Sequence, residues 1–196
     1  MANADQITED APVNQIVSIG TWNMDHWKRT AEQRLEGWAF LKDSARADVM
    51  LLQESSSPRH LSREHFVHRE IGGNRPWGSA VVSFADEAIV TEIDTVRTRY
   101  AATRFSMLGT HPGAVIVAHV DLPSIGPLTC VSVYGLINVY AQTTMLRIVA
   151  DLIPLFDSRY GDRVILGGDF NVSTSANPDT PELPRYKAIH QAVESL

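Results

Sequence analysis

A single cysteine, Cys130, among 196 residues excludes an internal disulfide, and its place in an apolar run fits a reducing, cytoplasmic setting. Lysine is nearly as scarce. Of 17 basic residues only Lys28, Lys42 and Lys187 are lysines, and the arginines that make up the rest form no cluster in the sequence. With a net charge of -6, this argues against a general basic surface that grips nucleic acid. It leaves room for a phosphate-ester enzyme, whose site is acidic where it holds a metal. No apolar run is long enough to cross a bilayer, the best candidate being the short stretch from Gly113 to Ala118. Nor is there a positively charged start followed by an apolar core. Residues 1–14 are polar and acidic (Asp5, Glu9, Asp10) and are expected to be a disordered tail.

The remaining residues, 15–196, belong to a chain with 44% apolar content, enough for one substantial core, and are expected to form one domain. Gln15 to Asn23 alternates like a strand ending on a polar residue. Ala31, Leu35, Trp38, Leu41 and Ala45 follow helical spacing between Trp27 and Arg46. Asp48 to Glu54 is apolar on both faces before it stops at Gln53-Glu54, as a central strand does. Residues 55–75 are expected to be a loop with a short helix at most; the spacing of His60, His65 and His68 there matches no compact metal motif, which leaves them as solvated histidines. Trp77 to Phe84 is predicted to be a strand with Ala88 to Val96 as its hairpin partner, followed by strands from His111 to Leu122 and from Leu128 to Leu136. Met145, Ile148, Val149, Leu152 and Leu155 mark a second helix, with Pro154 expected to kink or shorten its last turn. Residues 173–184 contain three prolines and read as a loop. Tyr186, Ile189, Val193 and Leu196 mark a third helix beginning near Pro184.

Chemistry concentrates at the ends of strands. Val164-Ile165-Leu166 runs into Gly167-Gly168-Asp169-Phe170-Asn171, placing a carboxylate and a carboxamide two positions apart, on one side of the chain if it stays extended. Taken alone this is equally a polar turn. Asn23, Glu54 and Tyr134 stand at the ends of three other strands, and in layered folds the crevice beyond the carboxyl ends of strands is where ligands bind. Two carboxylates facing amides and a phenol form a set of oxygen ligands that suits Mg²⁺ or Mn²⁺ better than zinc, with metal-assisted attack on a phosphate ester as the natural reaction. A calcium loop starting at Asp169 fails, because Thr174 and Thr180 occupy the positions of the required glycine and glutamate. A phosphate-cradling loop fails because no Lys-Ser or Lys-Thr follows the glycines.

Thr21-Trp22-Asn23, Leu51-Leu52-Gln53-Glu54, Trp77-Gly78-Ser79-Ala80-Val81, Val131-Ser132-Val133-Tyr134 and Gly167-Gly168-Asp169-Phe170-Asn171 occur in an order that resembles the endonuclease/exonuclease/phosphatase superfamily. The resemblance runs from about Gln15 to Thr174. It implies an α+β fold, a four-layer α/β/β/α sandwich of two facing mixed sheets of the deoxyribonuclease-I-like kind. It also implies that Glu54 and Asn23 serve the metal, Asp169 orients or deprotonates the attacking water, and Asn171 and Tyr134 donate to phosphate oxygens. Members of that family finish with a Ser-Asp-His on a late strand, and no such triplet follows Asn171 here. The expectation is therefore a chain that lacks the last strands, either truncated or naturally short, whose open sheet edge a partner chain or a second copy covers. Function is expected to be metal-dependent hydrolysis of phosphodiesters, as in a nuclease, or of phosphomonoesters. The alternative is a catalytically silent relative that keeps the fold for binding or assembly.

Overall fold

The computed structural model describes residues 16–136, 141–172 and 183–196. The tail expected over residues 1–14 and nearly all of the loop expected over residues 173–184 lie outside them.

Among the described residues, ten strands and three α-helices occur in the order β1 (Ile19–Asn23), α1 (Ala31–Phe40), β2 (Val49–Ser55), β3 (Phe66–Gly72), β4 (Arg75–Ser83), β5 (Ile89–Glu92), β6 (Thr95–Arg97), β7 (Arg104–Ser106), β8 (Val115–Leu122), β9 (Gly126–Tyr134), α2 (Ala141–Phe156), β10 (Val164–Asp169) and α3 (Leu183–Glu194). The first sheet has the order β1-β2-β4-β3 and the second β10-β9-β8-β5, with β6 and β7 forming a separate ribbon. Each four-stranded sheet is built alike, from one parallel pair (β1 with β2, β10 with β9) continued by antiparallel neighbours. A parallel pair needs a crossover, and the helices that lie between the paired strands, α1 and α2, supply it.

Strand alternation sorts the core into layers. Val49 and Leu51 of β2 and Val81 of β4 meet Ile116, Ala118, Val120 and Cys130 between the sheets. Met50, Leu52, Ala80 and Val82 face outward onto Trp38 and Leu41. On the far side Val117, Val131 and Val133 pack against Met145, Ile148, Leu152 and Leu155 of α2 and Ile189 of α3. The result is helix, sheet, sheet, helix, the expected four-layer α/β/β/α sandwich.

Helix α1 starts at a complete capping box, Thr30 Oγ1 accepting from Gln33 N–H while the Gln33 side chain accepts from Thr30 N–H. It widens into a π turn over Leu41–Ala45 and stops at Arg46, which is left-handed. α2 continues through Pro154 to Phe156, two residues past the expected interruption.

Three expectations are corrected. Residues 66–72, expected as loop, form the edge strand β3. Half-buried residues such as Phe66, Val67 and His68 leave it no clean alternation to read. The stretch after β4 is no hairpin partner: β5 crosses to pair with β8 in the other sheet, and Thr95–Arg97 pairs with a further strand, β7. Asp169 and Asn171 do not share one extended segment, because β10 ends at Asp169 and Asn171 is left-handed (φ 52°).

The middle layer also holds a buried polar contact between the sheets. Gln53, 1% exposed, donates to Ser132 Oγ at 3.0 Å and to Leu51 C=O, while Ser132 Oγ donates to Leu52 C=O at 2.9 Å. Gln53→Ala would strip the two bonds that its amide donates and open a void, so a loss of about 2–4 kcal/mol is expected, read as a lower urea midpoint at unchanged slope.

Candidate active site

Strand polarity brings the four polar strand ends together. In the parallel pairs Asn23 stands opposite Gln53, one residue before Glu54, and Asp169 stands opposite Tyr134. The two pairs deliver these residues at the same end of their sheets. Asn23 then bridges them: its Nδ2 donates to Glu54 Oε1 at 3.1 Å and to Asp169 Oδ2 at 2.8 Å. Its Oδ1 accepts from the backbone N–H of Asp25 at 3.0 Å, which fixes which end of the amide faces the carboxylates.

Glu54 does not simply follow the alternation of β2, which would send it outward with Met50 and Leu52. The pairing of β2 with β4 shifts between Leu52 and Ser55, and Glu54 itself is left-handed (φ 49°). A non-glycine residue in that region is strained and needs its surroundings to hold it. Here Met24 N–H donates to Gln53 C=O and His26 N–H donates to Glu54 C=O, so the segment after β1 is stitched along the end of β2. Glu54 is 6% exposed, and its carboxylate is aimed at Asn23 and Tyr134.

The Tyr134 phenol is held above its ordinary pKa, by burial first, then by its hydrogen bond to Glu54 and by the negative charges of Glu54 and Asp169. It therefore stays protonated as an O–H donor. Its ring meets Trp77 edge-on at 5.5 Å, and Arg75 lies over the Trp77 ring at 5.6 Å. Arg75 partly offsets the upward shift of Tyr134, which puts a cation within electrostatic reach of the phenol. No pattern in the sequence marks Arg75 as part of this group.

Asp169 is gripped from both sides. Oδ2 accepts from Asn23, and Oδ1 accepts from the Asn171 backbone N–H at 3.1 Å. Asn171 Nδ2 donates to Gly135 C=O at 2.7 Å, and Gly135 N–H donates to Asp169 C=O at 2.7 Å. Glycine is required in this corner. A Cβ on Gly135 would strike the Phe170 carbonyl, and one on Gly168, already at φ 154°, would strike that of Val133. All five expected site residues, Asn23, Glu54, Tyr134, Asp169 and Asn171, thus fall in one cluster.

No protein-family model matches the sequence, and no curated protein matches it closely. Solved structures do match the fold. The endonuclease domain of TRAS1, a telomere-specific non-LTR retrotransposon, aligns over 92% of this chain and 70% of its own, at 15% identity and TM-score 0.58. The AP endonuclease LMAP from Leishmania major aligns over 90% and 66%, at 14% and 0.55. An endonuclease/exonuclease/phosphatase protein from Beutenbergia cavernae DSM 12333 aligns over 90% and 53%, at 14% and 0.51. The fold is deoxyribonuclease-I-like. This chain spans between about half and seven-tenths of the length of these three deoxyribonuclease-I-like neighbours.

His26, which is not among the expected site residues, lies beside the site. Its ring is 2% exposed, Nδ1 accepts from Ser56 N–H at 2.9 Å, and Nε2 has no partner among the described residues. Burial first, and then the charge of Arg34, lowers its pKa to about 4. Between pH 4 and 6.5 the unfolded chain therefore binds the proton that the folded chain refuses, and stability rises with pH across that window. His68, lowered mainly by burial, acts in the same direction. His26→Gln, which keeps an acceptor for Ser56, should flatten part of the loss of stability on acidification from pH 6.5 to 4, measured by urea unfolding.

Proposed function

We propose that the chain is a metal-dependent phosphoesterase domain that hydrolyses phosphodiester or phosphomonoester bonds at the Asn23–Glu54–Tyr134–Asp169–Asn171 cluster. The supporting observation is that one carboxamide, Asn23, holds carboxylates from two different sheets at the ends of two parallel strand pairs. Neighbours of the same fold include endonucleases and a 2',3'-cyclic phosphatase, which agrees with phosphate-ester chemistry.

The donor set fits Mg²⁺ or Mn²⁺: oxygens only, and few of them, as suits ions that keep much of their own water. Among the described residues no three His, Cys, Asp or Glu side chains gather into a metal site, so Glu54 would be the principal protein ligand. Asn23, whose oxygen is taken by Asp25 N–H, would serve by fixing Glu54 Oε1. A bound ion would supply Lewis-acid polarisation of a phosphoryl oxygen. The residues supply the rest. Asp169, oriented by Asn23 and Asn171, accepts the proton of the attacking water. Asn171 spends one amide hydrogen on Gly135 C=O and keeps the other for a phosphate oxygen. Tyr134, kept protonated, turns its O–H to a second phosphate oxygen and to the charge that builds there.

The alternative reading is a catalytically silent relative that keeps the fold for binding or assembly. Turnover of bis(p-nitrophenyl) phosphate and of plasmid DNA, with Mg²⁺ or Mn²⁺, separates the two. The hydrolytic proposal expects activity abolished by EDTA, lowered about 10³-fold in Asp169→Asn and in Glu54→Gln, and about 10²-fold in Tyr134→Phe. Absence of turnover on every ester, or turnover indifferent to Glu54→Gln, contradicts it.

A further inference from the structure

The β6–β7 ribbon carries a feature that the proposed chemistry does not use. Arg97 and Arg104 are directly opposite in its register, so both guanidiniums leave on the same face, while Val96 on the other face is 2% exposed. Like charges placed directly opposite destabilise a strand pair unless something of opposite charge lies between them. Among the described residues neither arginine has a carboxylate partner. Arg99 and Arg159 line the same cleft, of about 770 Å³, and the one carboxylate in its wall, Asp162, is paired with Arg99 at 2.6 Å. Four guanidiniums against one carboxylate is a steep local excess in a chain of net charge -6.

The cleft is aromatic as well as basic. Arg159 lies over the Tyr160 ring at 4.6 Å. Tyr100, at the turn between β6 and β7 and outside the residues that line the cleft, is 91% exposed, with no ring contact among the described residues. Thr129 Oγ1 donates to Tyr160 C=O, and Thr129 pairs with Val164 at the start of β10, whereas Asp169 stands at its end. The cleft therefore lies about one strand length, on the order of 17 Å, from the acidic site.

We infer that this cleft is a second binding site, an exosite for single-stranded nucleic acid. Phosphates bridge Arg97, Arg104 and Arg159 in the cleft, and a base that leaves it over the β6–β7 turn stacks on Tyr100. Arginine forks suit phosphate oxygens, and paired basic and aromatic groups are how single strands are held without regard to sequence. The site is independent of the catalytic proposal, and its test does not require turnover.

The test is fluorescence anisotropy with a fluorescein-labelled oligothymidylate of roughly 12 nucleotides, in EDTA, over about 50 to 200 mM salt. Wild type should bind. Arg97→Ser/Arg104→Ser should weaken binding by about tenfold or more and cut the slope of log affinity against log salt by about 1.4. Tyr100→Ala should weaken binding about tenfold with the slope kept. The double variant removes a like-charge pair, so its melting temperature should equal or exceed that of wild type; Arg159→Ser, outside the ribbon, provides a second variant. Unchanged affinity in the arginine variants overturns the inference. So does tripolyphosphate competing as well as the oligonucleotide with no effect of Tyr100→Ala, which would mark a general anion site. Loss of phosphoesterase activity in Glu54→Gln with this binding intact would leave the exosite standing on its own.

Discussion

One carboxamide organises the centre of this molecule. Two carboxylates brought close together repel, and burial makes the repulsion worse. Asn23 resolves this with a single nitrogen, donating to Glu54 and Asp169 at once. Its oxygen is tied to the backbone two residues on, so it cannot turn away without losing that bond. The two carboxylates come from different sheets, which makes the Asn23 amide a strut between the halves of the sandwich as well as part of the site.

That strut works because the sheets are already registered beneath it. One residue before Glu54, Gln53 reaches across the interior to Ser132, and Ser132 reaches back to Leu52 C=O. These bonds fix the height of β2 against β9, and β9 fixes β10 through the parallel ladder that sets Tyr134 opposite Asp169. The same architecture on both sides, a parallel pair with its crossover helix outside, presents the carboxyl ends of β1, β2, β9 and β10 together. The strained backbone at Glu54 and the glycines at 135 and 168 sit in this corner, where close approach is needed and an ordinary turn would not serve.

The strand ends were legible because each is an apolar run stopped abruptly by a polar residue, whereas the layer order came only as what the family resemblance implied. What escaped the sequence was set by long-range pairing. β3 looks like loop because its residues are half-buried and charged, and only its ladder to β4 shows it to be a strand. β5 follows β4 closely, yet pairs with β8, a choice that no local turn signal records. Asn171 could be assigned to the cluster but not to its geometry, since its left-handed backbone depends on the Asp169 and Gly135 contacts. His26 and Arg75 acquire their places only through burial and proximity in the folded chain. The opposed Arg97 and Arg104 become a pair only through the β6–β7 register.

Glu54 and Asp169, held by Asn23, are proposed to form a cation-dependent centre. Isothermal titration of the protein with Mn²⁺ tests it most directly, since it needs no substrate. Wild type should bind one ion, and Glu54→Gln should weaken that binding at least about tenfold, because it removes the principal charged ligand while keeping the side-chain shape. Equal Mn²⁺ binding in wild type and Glu54→Gln, or none in either, would contradict the account.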